Sequence, residues 1–194
     1  MRYSHIREQN KKESEYSPKQ AFSRLQALAC NQEMSLEPLP CHGFFGDLFA
    51  VLRSRIDGDL VFPSFPFRYV SANEEATVAV VSLFYAALRR RVTQLEVRTE
   101  NTHESFSVYL SGVPYSGAHP FEGEEKSMLP LLRAVAKNGG MTLSFVSDEN
   151  IDLRLTFARY VAEVQEVRAV DEERSRRIAV CFSRWAPLFS RDIL

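Results

Sequence analysis

Nucleophilic or metal-assisted chemistry in this chain would have to draw on four histidines, three cysteines and scattered hydroxyls. His42, His103 and His119 share no metal-ligand spacing. Cys30, Cys41 and Cys181 are odd in number and lack a CxxC pair, so neither a zinc site nor a disulfide framework is indicated. The cysteines read instead as small buried apolar residues. Ser111 has no histidine or aspartate close in sequence to activate it. Lys126 could reach a phosphate, but a lone lysine in Glu-Gly-Glu-Glu-Lys reads as a solvated side chain. Gly139 and Gly140 after Asn138 read as a helix C-cap and turn that need no ligand. Arg89, Arg90 and Arg91 read as the solvated, negative end of a helix.

The elements that must position these side chains follow from periodicity. The first sixteen residues are polar and charged, with Tyr3, Ile6 and Tyr16 the sizeable apolar side chains, and read as a tail. From Pro18 to about Glu33, Ala21, Phe22, Leu25, Leu28 and Ala29 recur at helical spacing, with Ser17 before a proline suited to the first turn. Glu37-Pro-Leu-Pro reads as a connector. A second helix runs from about His42 to Ile56, and its weight of Phe44, Phe45 and Phe49 predicts that it packs on a sheet. Leu60 to Phe62 and Phe67 to Val70, interrupted by Pro63 and Pro66, suit an edge pair of short strands. A long helix follows from about Asn73 to Arg91, with Ser71 or Asn73 as cap candidates and Glu74 and Glu75 at its positive end. Alternation predicts one hairpin over Gln94 to Ser111, turning at Asn101-Thr-His, and another from Leu143 to Phe157, turning at Asp148-Glu-Asn. A last strand is expected over Arg177 to Ser183, with Ile178, Val180 and Phe182 inward.

Composition sets outer bounds. At 194 residues and 45% hydrophobic, the chain can bury one domain, taken as residues 36–194, behind a tail and short amphipathic helix over 1–35. A net charge of -1 supplies no field for gathering nucleic acid or an anionic membrane. Its longest apolar runs, such as Val78 to Leu88, are about half of what crosses a bilayer, and the start has no signal-type apolar core, so a cytoplasmic location is expected.

The predicted order is helix, two short strands, helix, hairpin, helix, hairpin and one added strand. It describes an α/β (α+β) fold, a two-layer sandwich with helices on one face of a mixed sheet. Over about Leu36 to Phe189 this set resembles the histidine-kinase and gyrase type of ATPase, the GHKL or Bergerat fold, most clearly the catalytic domains of bacterial sensor histidine kinases. Glu37-Pro-Leu-Pro-Cys-His-Gly-Phe-Phe-Gly-Asp-Leu resembles the segment leading into that domain. Ser71 to Arg90 is similar to the N-box helix. Leu131-Leu-Arg-Ala-Val-Ala-Lys-Asn-Gly-Gly is similar to the helix and turn before the last hairpin.

The resemblance also implies which residues should stand at an ATP site. Laying the family's N box on Ser82-Leu-Phe-Tyr-Ala-Ala puts Ala86 at the magnesium position, with Ser82 one turn earlier. Alanine has no oxygen to offer a hard cation. The adenine-binding Asp-x-Gly falls on Tyr109-Leu-Ser-Gly, placing Leu110 at the carboxylate, or Ser111 if the register slips by one, and keeping Gly112. The phosphate-cradling Gly-x-Gly-Leu is replaced by Glu125-Lys-Ser-Met128, and the lid between Gly112 and Leu129 is shortened to sixteen residues carrying Gly117 and Gly123. His5 in Ser-His-Ile-Arg-Glu faintly resembles the His-Glu-x-Arg box around a kinase phosphoacceptor, but lies too close to Leu39 for a two-helix dimerisation hairpin.

What the resemblance implies is therefore a degenerate member, with no catalytic residue, no metal and no cofactor. It would act as a protein-interaction or regulatory module in bacterial two-component signalling, its partner a kinase or response regulator, with homodimerisation through the N-terminal helix as a further expectation. The alternative is a divergent working kinase domain that binds ATP and magnesium. A phosphotransfer protein on the same scaffold is the reserve.

Overall fold

The computed structural model describes residues 16–115, 125–147, 151–161 and 172–189. Helix α1 (Pro18–Cys30) opens on a capping box, in which Ser17 Oγ accepts from Gln20 N at 3.3 Å and Ser17 N donates to Gln20 Oε1 at 2.8 Å. Strand β1 (Glu37–Pro40) pairs antiparallel with β2 (Tyr69–Ala72), Leu39 opposite Val70. The expected connector is thus a strand, and the expected pairing of Leu60 to Phe62 with the following segment does not form. Two prolines with no N–H are tolerable in β1 because an edge strand bonds on one side only. Pro63 and Pro66 instead leave residues 60–66 without strand or helix, anchored by buried Leu60 and Phe65.

Helix α2 (Cys41–Arg55) lays its phenylalanines on the sheet, as its composition predicted. The Phe45 ring lies 5.2 Å from both Phe106 and Phe157, on two neighbouring strands. Helix α3 (Glu74–Arg89) is capped by Asn73, whose side chain accepts from Ala76 N at 3.0 Å. Residues 76–88 of α3 are all buried, so this helix has no solvent face.

The main sheet runs β3 (Val92–Asn101), β4 (Ser105–Pro114), β6 (Ile151–Ala158), β5 (Met141–Ser147). Each pairing is antiparallel, where a mixed sheet was expected. Hairpins β3–β4 and β5–β6 match the expected ones; the turn of the second lies outside the described residues. Phe106, Val108 and Leu110 on β4 and Ile151, Leu153, Leu155 and Phe157 on β6 are fully buried beneath the helices. The opposite face is polar. There the Tyr109 ring lies between Arg98 and Arg154, whose guanidinium carbons stand 5.8 and 5.2 Å from its centroid. The Tyr109 hydroxyl and Arg154 both bond Glu100.

Helix α4 (Glu125–Asn138) presents Met128, Leu132, Val135 and Ala136 to the core. Helix α5 (Glu172–Trp185) occupies the stretch where the last strand was expected. Ile178, Val180 and Phe182 do alternate, but Val180 is 46% exposed, while Ile178, Cys181, Phe182 and Trp185 form one buried stripe at helical spacing. A short 3-10 turn, Ala186–Leu188, follows it. Arg174 lies over Gly43 of α2, where an added Cβ would run into its guanidinium, and its Nε donates to Asp47 Oδ2 at 3.0 Å. Helices α1 and α5 join the core from outside. Ala21, Leu25 and Leu28 of α1 belong to the same buried cluster as the sheet. Among the described residues no helix is long and apolar enough to cross a membrane.

Candidate functional site

The positions that the resemblance assigns to a nucleotide lie on α3, β4 and α4. Ser82 and Ala86 stand one turn apart on α3, in line with Glu75 along the helix at about 100° per residue. Glu75 is held from outside that helix. Arg24 of α1 donates to it at 3.0 and 2.6 Å, and Arg184 of α5 bonds it as well. The stripe bearing Ser82 and Ala86 thus begins under the outer helices. Ser82 is wholly buried and Ala86 is 4% exposed. Thr77 Oγ1 on the same helix donates to Asn73 O at 2.7 Å, whereas the Ser82 hydroxyl has no partner among the described residues.

Leu110 has no exposed surface and shares the helix-covered face of β4 with Phe106 and Val108. It sits opposite Val97 on one side and Leu153 on the other. Met128, 3% exposed, begins the inner stripe of α4. Gly112 has a packing reason to be glycine. An added Cβ would stand 2.7 Å from both Gln94 O and Val92 Cβ, where the register of β3 against β4 shifts. Gly139 and Gly140 form the expected cap. Gly139 N donates to Val135 O at 2.9 Å, Gly140 takes φ +82°, and an added Cβ on Gly139 would stand 2.6 Å from Ala76 Cβ. Gly139 O in turn accepts from Asn73 N at 3.0 Å, which ties this turn to the start of α3.

Ser111 points to the polar face of the sheet, where its hydroxyl bonds Asp152 and accepts from Arg98 Nη2 at 3.0 Å. Sequence reasoning missed that aspartate because β6 brings it from 41 residues away. It also missed a second cluster. Tyr85 OH donates to Asp57 Oδ2 at 3.0 Å, and Arg89 Nε donates to the same oxygen at 2.6 Å. Burial and the Asp57 carboxylate together push the Tyr85 phenol up from its ordinary value. Arg89, expected to be solvated, therefore closes a buried-edge ion pair. Tyr85 and Arg89, one turn apart on the same helix, were the available signal.

His42 stacks on Phe67 at 4.2 Å between ring centroids, with Nδ1 3.1 Å from Phe65 O, and His103 is exposed in the β3–β4 turn. Burial pushes the Cys41 and Cys181 thiols up to about 12, and Cys30 is exposed. His5, His119, Gly117, Gly123 and the Lys126 side chain lie outside the described residues. Among the described residues no group of three His, Cys, Asp or Glu side chains could hold a metal.

Comparison with known proteins identifies the fold. No family model matches the chain, and no curated relative matches it. Among solved structures it is similar to the Acinetobacter baumannii histidine kinase AdeS, at 14% identity and TM-score 0.52, over 71% of this chain and 75% of that one. Full-length ShkA in complex with AMPPNP matches at 16% identity and TM-score 0.49, over 75% of this chain and 35% of that one. The cytoplasmic segment of histidine kinase QseC matches at 11% identity and TM-score 0.46, over 72% of this chain and 91% of that one. The AdeS match, with the topology above, shows a histidine-kinase-type ATPase fold. Identity this low speaks to fold alone.

Proposed function

We propose that this chain is a non-catalytic relative of the histidine-kinase ATPase domain, serving as a protein-interaction or regulatory module in bacterial two-component signalling, with a kinase or response regulator as its partner. Leu110 carries this reading. At the position that the resemblance assigns to the adenine-binding carboxylate stands a leucine without exposed surface, packed under the helices. The neighbouring positions support it. Magnesium asks for several oxygen ligands, and Ala86 offers none while Ser82 offers one buried hydroxyl, so these side chains do not fit Mg·ATP. Met128 gives core packing where a phosphate cradle would need bare backbone. The glycines that survive are accounted for by close contacts within the protein.

The test is a melting curve with and without Mg·ATP. A ligand at about a hundred times its dissociation constant would stabilise the fold by about 2.7 kcal/mol, a clear shift. No shift is expected at millimolar nucleotide, and a rise reversed by EDTA overturns the reading. Leu110→Asp sharpens the contrast. Burying an unpaired carboxylate there costs on the order of 3 kcal/mol or more with no gain of nucleotide. A working ATPase would tolerate that change and bind adenine better.

A further inference from the structure

Among the described residues, strand β3 has a neighbour on one side only. Thr102 N donates to Ser105 O at 2.9 Å at the mouth of the hairpin. Antiparallel alternation outward from that pair makes Glu100, Arg98 and Glu96 the residues that exchange backbone bonds with β4. The N–H and C=O groups of Leu95, Val97 and Thr99 consequently point away from the sheet, toward an open edge. A wall stands opposite. Residues 59–63 face the strand across a cleft of about 720 Å³, whose apolar lining includes Leu60, Phe62, Leu95 and Val97. On the polar face of the sheet, beside this cleft, Glu96, Arg98 and Glu100 alternate in sign, with side chains 64%, 55% and 49% exposed.

A ten-residue edge of this kind invites pairing, and its charge pattern limits with what. Glu-x-Arg-x-Glu is symmetric about Arg98. Two copies paired antiparallel about that residue would set Arg98 on Arg98 and Glu96 on Glu100, like against like. A register shifted by two residues either way sets Arg98 on a glutamate but leaves the remaining glutamate against Gln94 or Thr102, and on the Val92 side the irregularity before Leu95 also shortens the paired length. A strand with basic, acidic and basic residues at alternate positions meets opposite charge at all three.

We propose that β3 is a docking edge for an extended segment of a partner protein. The segment adds to the sheet as a further strand, carries a basic-x-acidic-x-basic alternation, and places apolar residues between the charges. The free backbone groups of Leu95, Val97 and Thr99 bond its main chain, the apolar cleft takes alternate side chains, and the charges fix the register. This assignment rests on the interaction role proposed above, and gives it a location.

The experiment uses the full chain and two fluorescein-labelled synthetic heptapeptides, Val-Lys-Val-Glu-Val-Lys-Val and its charge-exchanged counterpart Val-Glu-Val-Lys-Val-Glu-Val. Fluorescence anisotropy should show saturable binding of the first, at least about tenfold tighter than the second. The triple variant Glu96→Lys, Arg98→Glu, Glu100→Lys should reverse that order. Hydrogen exchange should slow at the amides of Leu95, Val97 and Thr99 on binding, which non-specific charge attraction would not produce. Failure of both peptides to bind, equal binding of both, or protection elsewhere in the chain overturns the edge assignment and leaves the non-catalytic reading untouched. Nucleotide-dependent stabilisation would overturn that reading and leave the edge untouched.

Discussion

Glu75 shows how one side chain can organise three helices. Burial alone would raise its carboxyl, but the Arg24 and Arg184 guanidiniums outweigh burial and hold it below its ordinary 4.5. A carboxyl depressed in the fold contributes stability that is present above 4.5 and lost as pH falls through the lower folded value. Glu75→Gln should therefore lower the urea midpoint most near neutral pH, and the gap from the parent should close in acid. Equal midpoints at neutral pH would mean the clasp contributes nothing. The sequence pointed to Glu75 only as a favourable charge at a helix start. Its two cationic partners lie 51 residues before it and 109 after it in sequence, and no local pattern carries such pairings. The same holds for Ser111 and Asp152. Leu110 was legible because its alternation with Phe106 and Val108 is local, and the sheet needs only one buried face.

At the scale of elements, what was readable had a long run of one period. α2, α3 and both hairpins stand close to where sequence put them, because α2 and the hairpins each bury a face that repeats over many residues and α3 is a long, largely apolar run between a cap and a basic end. α5 went astray through a coincidence. In Arg-Ile-Ala-Val-Cys-Phe-Ser the apolar residues fit a two-residue period over a short window, and Trp185, which settles the helical stripe, lies just beyond it. β1 was missed because its prolines argue against a strand, and only pairing with β2 supplies the reason to be one. The two periods for α5 make opposite forecasts for one residue. In the helix Val180 is 46% exposed and Ile178 fully buried, whereas a strand would turn both inward. Val180→Asp should change stability by no more than about 0.5 kcal/mol, and Ile178→Asp should cost on the order of 3 kcal/mol or more. Chemical denaturation of the two variants decides it, and comparable losses would restore the strand.

On the scale of the whole molecule, α3 is enclosed: the sheet lies beneath it, and α1 and α5 are tied over its start through Glu75. Read from sequence, α1 is a short amphipathic helix behind a polar tail, outside the domain taken as residues 36–194. The packing gives it more weight. Ala21 and Leu25 are fully buried and Leu28 is 4% exposed, all three in the common core. Asn138 Nδ2, at the end of α4, donates to Leu28 O at 3.2 Å and Ala29 O at 2.8 Å, binding the two helix ends together. Burying each leucine stabilises by about 1.5–3 kcal/mol, so the pair alone approaches the about 5–15 kcal/mol by which domains are stable at all. The apolar stripe of α1 is thus turned into its own chain, which leaves its polar side outward. Deleting residues 1–30 should consequently expose the top of α3, remove both the Arg24 and the Asn138 contacts, and leave a product that melts at much lower temperature and binds a hydrophobic dye such as ANS. Retention of the parent's melting temperature and cooperativity in that truncated chain would show instead that residues 36–194 fold alone, with α1 resting on a finished domain.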